Sequence, residues 1–378
     1  MAIYYLTITT LTGLGFFLSK KQAKTDTTAT FWYLAAVFAV LTLLCSFRYA
    51  IGFDYFSYRS IYEAAANGQL HELLPYWWYE PLFFAVCKIC SLLGMPFQAL
   101  IAIISSFVIF TAMWLIRRYS SLPWMSVYLY ITMQFLAYDM NLMRQAIAVS
   151  FFLLAFPSLK NQKLAFYTLF IFIGGLFHNS LWFVYPLYFI LPKKFSRKTI
   201  GCLLFFTISV YLCFDPLFSL IRPLLPEKYA IYQQSYFWYS NQWEYAVPPA
   251  LYLLLICLFQ NRIKDPFRRN IYFNSALLYF LISVFITKHF ILERFAAYPF
   301  VFSLFAIPDI LSSYQKDCNC GCELESRTSA RKYACVTLLF LLYGGAFFLF
   351  AASKGFHNVY PYVSLLDQSR SVPAGALN

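Results

Sequence analysis

The sequence has few charged residues and few of the polar stretches with which a soluble domain meets water. Charged side chains make up 12% of the 378 residues, whereas hydrophobic side chains make up 61%. A soluble domain carries about a quarter charged residues, so this chain cannot cover itself with water-compatible surface. The strict alternation of a membrane β-barrel is also missing, and only barrels and helices satisfy their backbone in lipid. The sequence therefore predicts an all-α integral membrane protein.

Several catalytic motifs are missing as well. There is no serine-nucleophile elbow, Walker loop, dinucleotide fingerprint or H-E-x-x-H sequence,. Cys318, Cys320 and Cys322 form a C-x-C-x-C run, but this is not the paired spacing of a zinc site,. These absences exclude soluble hydrolases and nucleotide-driven machines, and we expect neither a metal nor a cofactor.

Twelve apolar segments match the thickness of a bilayer, which takes about 17–25 residues per helix. They run at 2–19, 31–47, 97–116, 121–138, 142–158, 163–177, 179–192, 199–215, 247–261, 271–287, 295–311 and 333–352. We predict one membrane-embedded domain over 1–378, a polytopic helical bundle of about 12 transmembrane helices. A GT-C-like architecture is compatible with this pattern.

The segment 80–94 is apolar but short, and it carries Lys88 at its middle. Apolar stretches of about 10–14 residues are more often interfacial or re-entrant than spanning, so we predict an outer-face interfacial or re-entrant helix here. The resulting topology puts loops 48–96 and 216–246 and the tail from about 353 outside, and loop 312–332 in the cytoplasm. It places 19 of the 29 Lys and Arg residues in cytoplasmic loops, as the positive-inside rule requires,. The net charge of +13 therefore does not indicate a nucleic-acid partner.

Ionisable residues near membrane depth are costly and are functional candidates by default. In this topology one group of them shares the outer side: Arg48, Asp54, Arg59, Glu63, Glu80, Asp139, Arg144, His178, Lys288, His289, Glu293 and Arg294. Structural alternatives exist for single members. Arg48 could snorkel at a helix end, Asp139 could pair with Arg144, and His178 could be a capping or core histidine.

Arginine and lysine around a histidine and an aspartate suit one kind of chemistry. Guanidinium groups bind phosphate oxygens in bidentate fashion and can stabilise the charge that develops on a diphosphate leaving group. An imidazole or a carboxylate can remove the proton from an attacking hydroxyl. Tyr and Trp in the loop 216–246 could stack on sugar faces, although interface anchoring explains them equally well,.

Five segments resemble the EpsG-type branch of the Wzy polysaccharide polymerases, in which similar motifs occur in the same order. They are IGFDYFSYRSIYE, YEPLFF, NLMRQAIAVSFFLLAF, FHNSLWFVYPLYFILPKK and ERFAAYPF, which together span about residues 48 to 300. The family pattern is roughly G-x-D-x-x-x-Y, an acidic residue before Pro, R-Q-x-(I/L)-A, and His followed by Ser before an aromatic helix. The chain departs from it at Leu82 and Phe83, where members often have Gly.

The resemblance implies polymerisation of undecaprenyl-diphosphate-linked repeat units at a site facing the periplasm or exterior of the bacterial inner membrane. A glycan is transferred as a block to a terminal sugar hydroxyl, and undecaprenyl diphosphate is released without a metal. The expected partners are the lipid-linked donor and acceptor, membrane lipids and a chain-length regulator protein.

The resemblance also implies roles for single residues. His178 or Asp54 would be the catalytic base, and Arg144 and Arg294 would grip the diphosphate. Arg48, Arg59, Lys288 and His289 would add substrate contacts, and Glu80 would order the outer helix.

Three alternatives remain open from the sequence. A lipid-linked glycan flippase or transporter would use the same cations during passage, but it commonly shows internal repeats, which are absent here. A GT-C glycosyltransferase would use a polyprenyl-phosphate donor and often a metal. An O-antigen ligase would differ only in its acceptor.

Overall fold

The structure is a computed structural model that describes residues 1–21, 27–68, 80–224, 243–318 and 323–367. The regular structure in these ranges is helical, apart from one isolated β-bridge between Arg48 and Ser364. The predicted all-α polytopic membrane fold is confirmed. Most of the aromatic loop 216–246 lies outside the described residues, and so do Cys320 and Cys322.

The α-helices are numbered in chain order. They are α1 (Ala2–Lys21), α2 (Thr27–Ser46), α3 (Tyr55–Ala66), α4 (Pro81–Leu92), α5 (Phe97–Tyr119), α6 (Pro123–Thr132), α7 (Phe135–Asn141), α8 (Met143–Leu154), α9 (Phe156–Lys160), α10 (Leu164–Gly175), α11 (Leu187–Ile190), α12 (Arg197–Leu212), α13 (Phe214–Ile221), α14 (Val247–Phe259), α15 (Pro266–Ile286), α16 (Glu293–Phe300), α17 (Ser303–Cys318) and α18 (Glu323–Ser353). Short 3₁₀ turns lie at Asn179–Val184, Arg222–Leu224, Trp243–Ala246, Gln260–Arg262, Phe290–Leu292, Phe356–Asn358 and Leu365–Asp367.

The described helices include six that are long and apolar enough to cross a membrane, or up to eight if each of two bent pairs counts as one span. The bent pairs are α12 with α13, at 74°, and Phe290–Phe300 with α17, at 41°. The predicted count of about twelve is therefore not confirmed. The chain is a multi-pass membrane protein.

The difference arises where an apolar run is broken by its backbone. The run 121–138 divides into α6 and α7 at Gln134, which adopts a left-handed conformation with φ 71°. The run 142–158 divides into α8 and α9 at Ala155, before a proline at the start of α9. Hydropathy averages over such breaks, so it reports the apolar character of a run and not the continuity of its helix.

The segment predicted as interfacial forms α4, a helix of 12 residues. At 1.5 Å per residue such a helix is about 18 Å long and cannot cross a hydrocarbon core of about 30 Å. The predicted loop 312–332 is largely helical, because α17 extends to Cys318 and α18 begins at Glu323.

The chain divides into two compact units. The first contains residues Met1–Tyr185 and Ile307–Asn378, and the second contains Pro186–Ala306. In the second unit, Asn274 of α15 is buried and donates to the backbone oxygens of Leu191 and Lys193, at 3.0 and 2.6 Å. This amide fixes the turn after α11 against α15, because a buried donor without a partner is costly.

A cluster of buried side chains in the first unit joins α3, α4, α5 and α8. One face of α3 contributes three tyrosines, and one face of α4 contributes two phenylalanines and two cysteines. The members are Tyr55, Tyr58, Tyr62, Ala65, Phe83, Phe84, Cys87, Cys90, Leu100, Ile101, Ile104, Val108, Met143, Ala146 and Ile147. Each helix buries residues spaced three or four apart, which is the pattern of an amphipathic helix on a core. This cluster holds the N-terminal ends of α3, α4 and α8 near one another.

Candidate functional site

Three residues from distant parts of the first unit meet at one carboxylate. Glu80 Oε2 accepts from Arg144 Nη1 at 2.5 Å, and Glu80 Oε1 lies 2.6 Å from His178 Nδ1. The backbone N–H of Asn179 also points at Oε1, at 3.4 Å. The sequence predicted Glu80, Arg144 and His178 separately, and the structure brings them together.

Local structure explains how Glu80 reaches this position. It precedes Pro81 at the N-terminus of α4, and its side chain does not cap that helix. The N–H of Leu82 donates to the Leu176 oxygen at 3.2 Å, which holds the first turn of α4 against the end of α10. The chain then turns at His178 into the 3₁₀ helix Asn179–Val184, so that the imidazole faces the Glu80 carboxylate.

Arg144 lies in the first turn of α8, where the helix dipole disfavours a positive charge by about 0.3–1 kcal/mol,. The Glu80 carboxylate offsets that cost. The guanidinium carbon also lies 5.4 Å from the ring centre of Tyr58 and 5.7 Å from that of Phe83, both within cation–π range,. The arginine is therefore held on three sides by α3 and α4.

Exposure distinguishes the members of the site. The Glu80 and His178 side chains are 8% and 9% exposed, whereas a quarter of the Arg144 side chain is accessible. Arg144 can therefore contact a ligand with its accessible part while Glu80 binds the buried part of the guanidinium. Both oxygens of Glu80 already have partners, so the carboxylate is suited to hold Arg144 and His178 in place.

Glu80 lies outside the candidate spans, and its pKa has a clear cause. Burial raises the pKa of the carboxyl, but the charge of Arg144 and hydrogen bonds from His178 and Asn179 outweigh burial and bring the pKa to about 2. Glu80 is therefore ionised at any physiological pH. Its negative charge favours a proton on His178 Nδ1, which leaves Nε2 as the basic nitrogen of the neutral ring.

Asp54 lies at the start of α3, and its charge acts on both Arg144 and Tyr58. Its carboxylate makes no helix-capping hydrogen bond, and the residue is partly exposed. Asp54 therefore borders the same cluster as Glu80 and Arg144. It is a second group near the arginine that could accept a proton.

Arg48 lies in a different environment. It is 1% exposed, and its Nη1 donates to the Cys45 oxygen at 2.8 Å. The proposal that Arg48 snorkels is therefore wrong. Asp139 bonds to the Tyr130 hydroxyl and acts electrostatically on Arg48, so the alternative that Asp139 pairs with Arg144 is also wrong.

Arg59 forms an exposed pair with Glu63 on the next turn of α3, at 2.7 Å. The two side chains are about half exposed, and a surface pair of this kind contributes about 0.3–0.5 kcal/mol,. The structure therefore places Arg59 on the surface of α3. A contact between Arg59 and substrate stays a prediction.

The second unit carries the other predicted residues. Lys288 lies 3.3 Å from Asp215 and over the ring of Tyr211, and Arg294 lies partly buried in the first turn of α16. His289 Nδ1 accepts from the Ile291 N–H, and burial lowers the pKa of this imidazole to about 4. His289 is therefore uncharged at neutral pH and supplies no positive charge for an anion.

Three further residues of the first unit were not predicted from the sequence. Tyr58 contacts Arg144, and Asn141 joins Asp54 to His357, one of only four histidines in the chain. Tyr58 had a signal, because it is the tyrosine of the G-x-D-x-x-x-Y pattern. His357 had only its rarity and its place after the last long apolar helix.

In the described part of the chain, no three His, Cys, Asp or Glu side chains are grouped closely enough to bind a metal ion. The expectation of metal-independent chemistry stays a prediction.

Comparison with known proteins identifies the family of the chain. The model of the EpsG family matches residues 31–364, from α2 to the segment after α18, and this range includes all the candidate site residues named above. No curated protein and no solved structure matches the chain. The match covers nearly the whole chain, which therefore belongs to the EpsG family of Wzy-type polysaccharide polymerases.

Proposed function

We propose that this polymerase joins undecaprenyl-diphosphate-linked repeat units on the outer face of the bacterial inner membrane. The donor glycan moves as a block to a terminal sugar hydroxyl of a second lipid-linked unit. One observation carries the proposal: Glu80 binds Arg144 with one oxygen and His178 with the other, so that a cation and a base share one anchor.

In this reaction the acceptor hydroxyl oxygen attacks the anomeric carbon of the donor. The bond from that carbon to the diphosphate oxygen breaks, and its electron pair leaves with undecaprenyl diphosphate. The hydroxyl proton passes to a base of the protein. No nucleotide sugar is consumed, because the diphosphate bond already activates the donor.

Glu80, Arg144 and His178 form a group that we call the Glu80 cluster. Arg144 is its cation and can contact the leaving group. Its guanidinium stays charged, and a quarter of its side chain is accessible,. The part of the guanidinium that does not face Glu80 can donate to diphosphate oxygens as negative charge grows on them. Such preoriented donors commonly supply a factor of about 10² to 10³ in rate.

His178 is the proposed base, because Glu80 orients its ring. Its Nε2 is buried, so the acceptor reaches this nitrogen only after neighbouring side chains move. With Nδ1 donating to Glu80, its Nε2 accepts the hydroxyl proton, and the carboxylate stabilises the imidazolium that forms,. Asp54 is the alternative base, because it is partly exposed and its charge acts on Arg144. Arg294, Lys288 and Arg59 stay predicted substrate contacts that need their own tests. Arg48 is 1% exposed and could contact a substrate only if it were uncovered.

The test uses the bacterium from which the gene for this chain has been deleted, with variants returned on a plasmid. We expect His178→Ala and Arg144→Ala to leave single lipid-linked repeats and no ladder of longer glycans. Arg118→Ala is the matched control, because this arginine is exposed at the C-terminal end of α5, away from the Glu80 cluster.

Other outcomes separate the alternatives. Asp54→Asn with a normal ladder would assign the base to His178, and the reverse pattern would assign it to Asp54. Normal ladders from both alanine variants overturn the site. Precursor that accumulates on the cytoplasmic side points to a flippase, and intact ladders that are not joined to a final acceptor point to a ligase.

A further inference from the structure

The segment after α18 packs on the first outer loop. The N–H of Tyr49 donates to the Val363 oxygen at 3.0 Å, and the N–H of Leu365 donates to the Phe47 oxygen at 2.9 Å. Five residues before Val363, the Asn358 oxygen accepts from the N–H of Gly52 at 3.1 Å. The end of the described chain is therefore bonded along residues 47–52, directly before Asp54.

Asn141 makes a second connection between these segments. Its Oδ1 accepts from the Asp54 N–H at 3.0 Å, and its Nδ2 lies 2.8 Å from His357 Nδ1. The backbone N–H can only donate, so the amide orientation is fixed: oxygen towards Asp54 and nitrogen towards His357. His357 Nδ1 must then accept, which requires the neutral tautomer with its proton on Nε2.

The connection is buried and strained. Asn141 and His357 are both almost fully buried, and the rings of Tyr138 and Phe356 pack on the imidazole. His357 and Asn358 both adopt positive φ, at 57° and 53°. Non-glycine residues in this region are strained, and they persist where surrounding contacts determine the conformation, often at functional sites.

Asp54 links the Asn141–His357 contact to the Glu80 cluster. It is the N-cap residue of α3, the helix that places Tyr58 against Arg144, and its own charge acts on that arginine. A shift of the Asp54 backbone would therefore move its carboxylate and the start of α3 relative to the guanidinium. Displacements of about 1 Å in a catalytic arrangement can cost about a hundredfold in rate.

We propose that His357 and Asn141 are positioning residues: His357 orients the Asn141 amide, and this amide holds Asp54 beside Arg144. The proposal rests on the proposed function above and adds Asn141, at the end of α7, and His357, from the segment after α18, to the polymerase site. Neither residue touches the reacting atoms. They act through Asp54.

The test uses purified full-length protein in nanodiscs with undecaprenyl-diphosphate-linked oligosaccharide, and it measures turnover and KM separately. His357→Phe keeps a ring against Tyr138 but removes the acceptor for Asn141. We expect turnover to fall by about ten- to a hundredfold with the donor KM within about twofold, because Arg144 and Glu80 are untouched. His357→Asn restores an acceptor atom and tolerates positive φ, so it should recover much of the turnover.

A double-mutant cycle adds a readout that a merely structural role would not give. Asn141→Ser cannot bridge both partners, and we expect it to match His357→Phe. The double variant should be no worse than either single variant, because both break the same connection. If His357→Phe does not accumulate in membranes, Asn141→Ser and His357→Asn carry the test.

Three outcomes would overturn the inference: unchanged turnover in Asn141→Ser, additive losses in the double variant, or a loss confined to KM. A wild-type protein that polymerises and a His178→Ala variant that does not would still support the proposed function in each of these cases. A wild-type protein that releases no undecaprenyl diphosphate overturns the proposed function, and the positioning role with it.

Discussion

Glu80 and His178 are 98 positions apart in the chain, yet the carboxylate oxygen and the imidazole Nδ1 are 2.6 Å apart in a buried contact. The other oxygen of Glu80 holds Arg144. The arrangement resembles the acid–histidine half of a catalytic triad, in which a buried carboxylate orients an imidazole. In this protein the same carboxylate also orients a cation.

The substitution Glu80→Gln should damage the site more than its small change in shape suggests. The glutamine side chain keeps the size of the glutamate but leaves Arg144 without a buried counter-charge, and breaking such a pair costs about 3–5 kcal/mol. We expect loss of the glycan ladder and a lower unfolding temperature in nanodiscs. Glu63→Gln is the control, because it removes one carboxylate from an exposed surface pair. Equal behaviour of the two variants would contradict the supporting role of Glu80.

Arg144→Lys separates charge from geometry. A lysine can still pair with Glu80, but an ammonium cannot bind a diphosphate in bidentate fashion. We expect kcat/KM to fall by about a hundredfold, which corresponds to about 2.7 kcal/mol, while the protein folds normally. Release of undecaprenyl diphosphate by purified protein gives the measurement. Full activity of the lysine variant would exclude bidentate binding by Arg144.

The pH dependence of stability follows from the Glu80 pKa. The folded-state pKa of about 2 lies below the unfolded value near 4.5, so Glu80 contributes stability above pH 4.5 and loses it as pH falls towards 2,. A shift of this size corresponds to about 3 kcal/mol. We expect the unfolding temperatures of wild type and Glu80→Gln to differ at pH 7 and to converge only as the pH falls from 4.5 towards 2.

The low pKa of Glu80 also limits which group can cause a pH dependence of activity. Glu80 does not titrate between pH 5 and 8, so any acid limb of the activity profile in that range belongs to another group,. If the limb in wild type disappears in Asp54→Asn, the base is Asp54. If it persists there, His178 is the group to examine.

Gly52 should not tolerate a side chain. Its φ is +96°, and an added Cβ would lie 3.0 Å from Asn141 Oδ1 and 3.1 Å from Asn141 Cα. We expect Gly52→Ala to cost about 1–3 kcal/mol and to reduce polymerisation, because it displaces the amide that holds Asp54. Gly201→Ala in α12 meets nothing within 4 Å and should be neutral or slightly stabilising,. Both are measured by thermal unfolding and by the glycan ladder.

The side of the membrane on which the candidate site lies can be tested by labelling single cysteines. They are introduced into a variant in which the ten native cysteines have been replaced. Ser57 in α3 and Asn161 after α9 are both exposed. We expect Ser57→Cys to react with a membrane-impermeant maleimide in intact spheroplasts, and Asn161→Cys to react only after permeabilisation. Labelling of Asn161→Cys alone from outside would invert the proposed topology.

The membrane class, the helical fold and the family could all be predicted from the amino-acid sequence alone. These follow from composition, from apolar runs and from short motifs in a fixed order, all of which are local properties. Glu80, Arg144 and His178 were also identifiable singly, because each is an ionisable residue beside an apolar helix.

Which of these residues contact one another depends on the tertiary structure. Arg48 and Arg144 have similar positions in the sequence, because both are arginines at the ends of apolar segments. Arg48, however, is buried and donates to the Cys45 oxygen, whereas Arg144 pairs with Glu80. Hydropathy could not reveal the breaks at Gln134 and Ala155, because a break depends on backbone conformation and not on mean apolarity. His357 lies 216 positions from Asn141, and only folding brings that imidazole to the amide that supports Asp54.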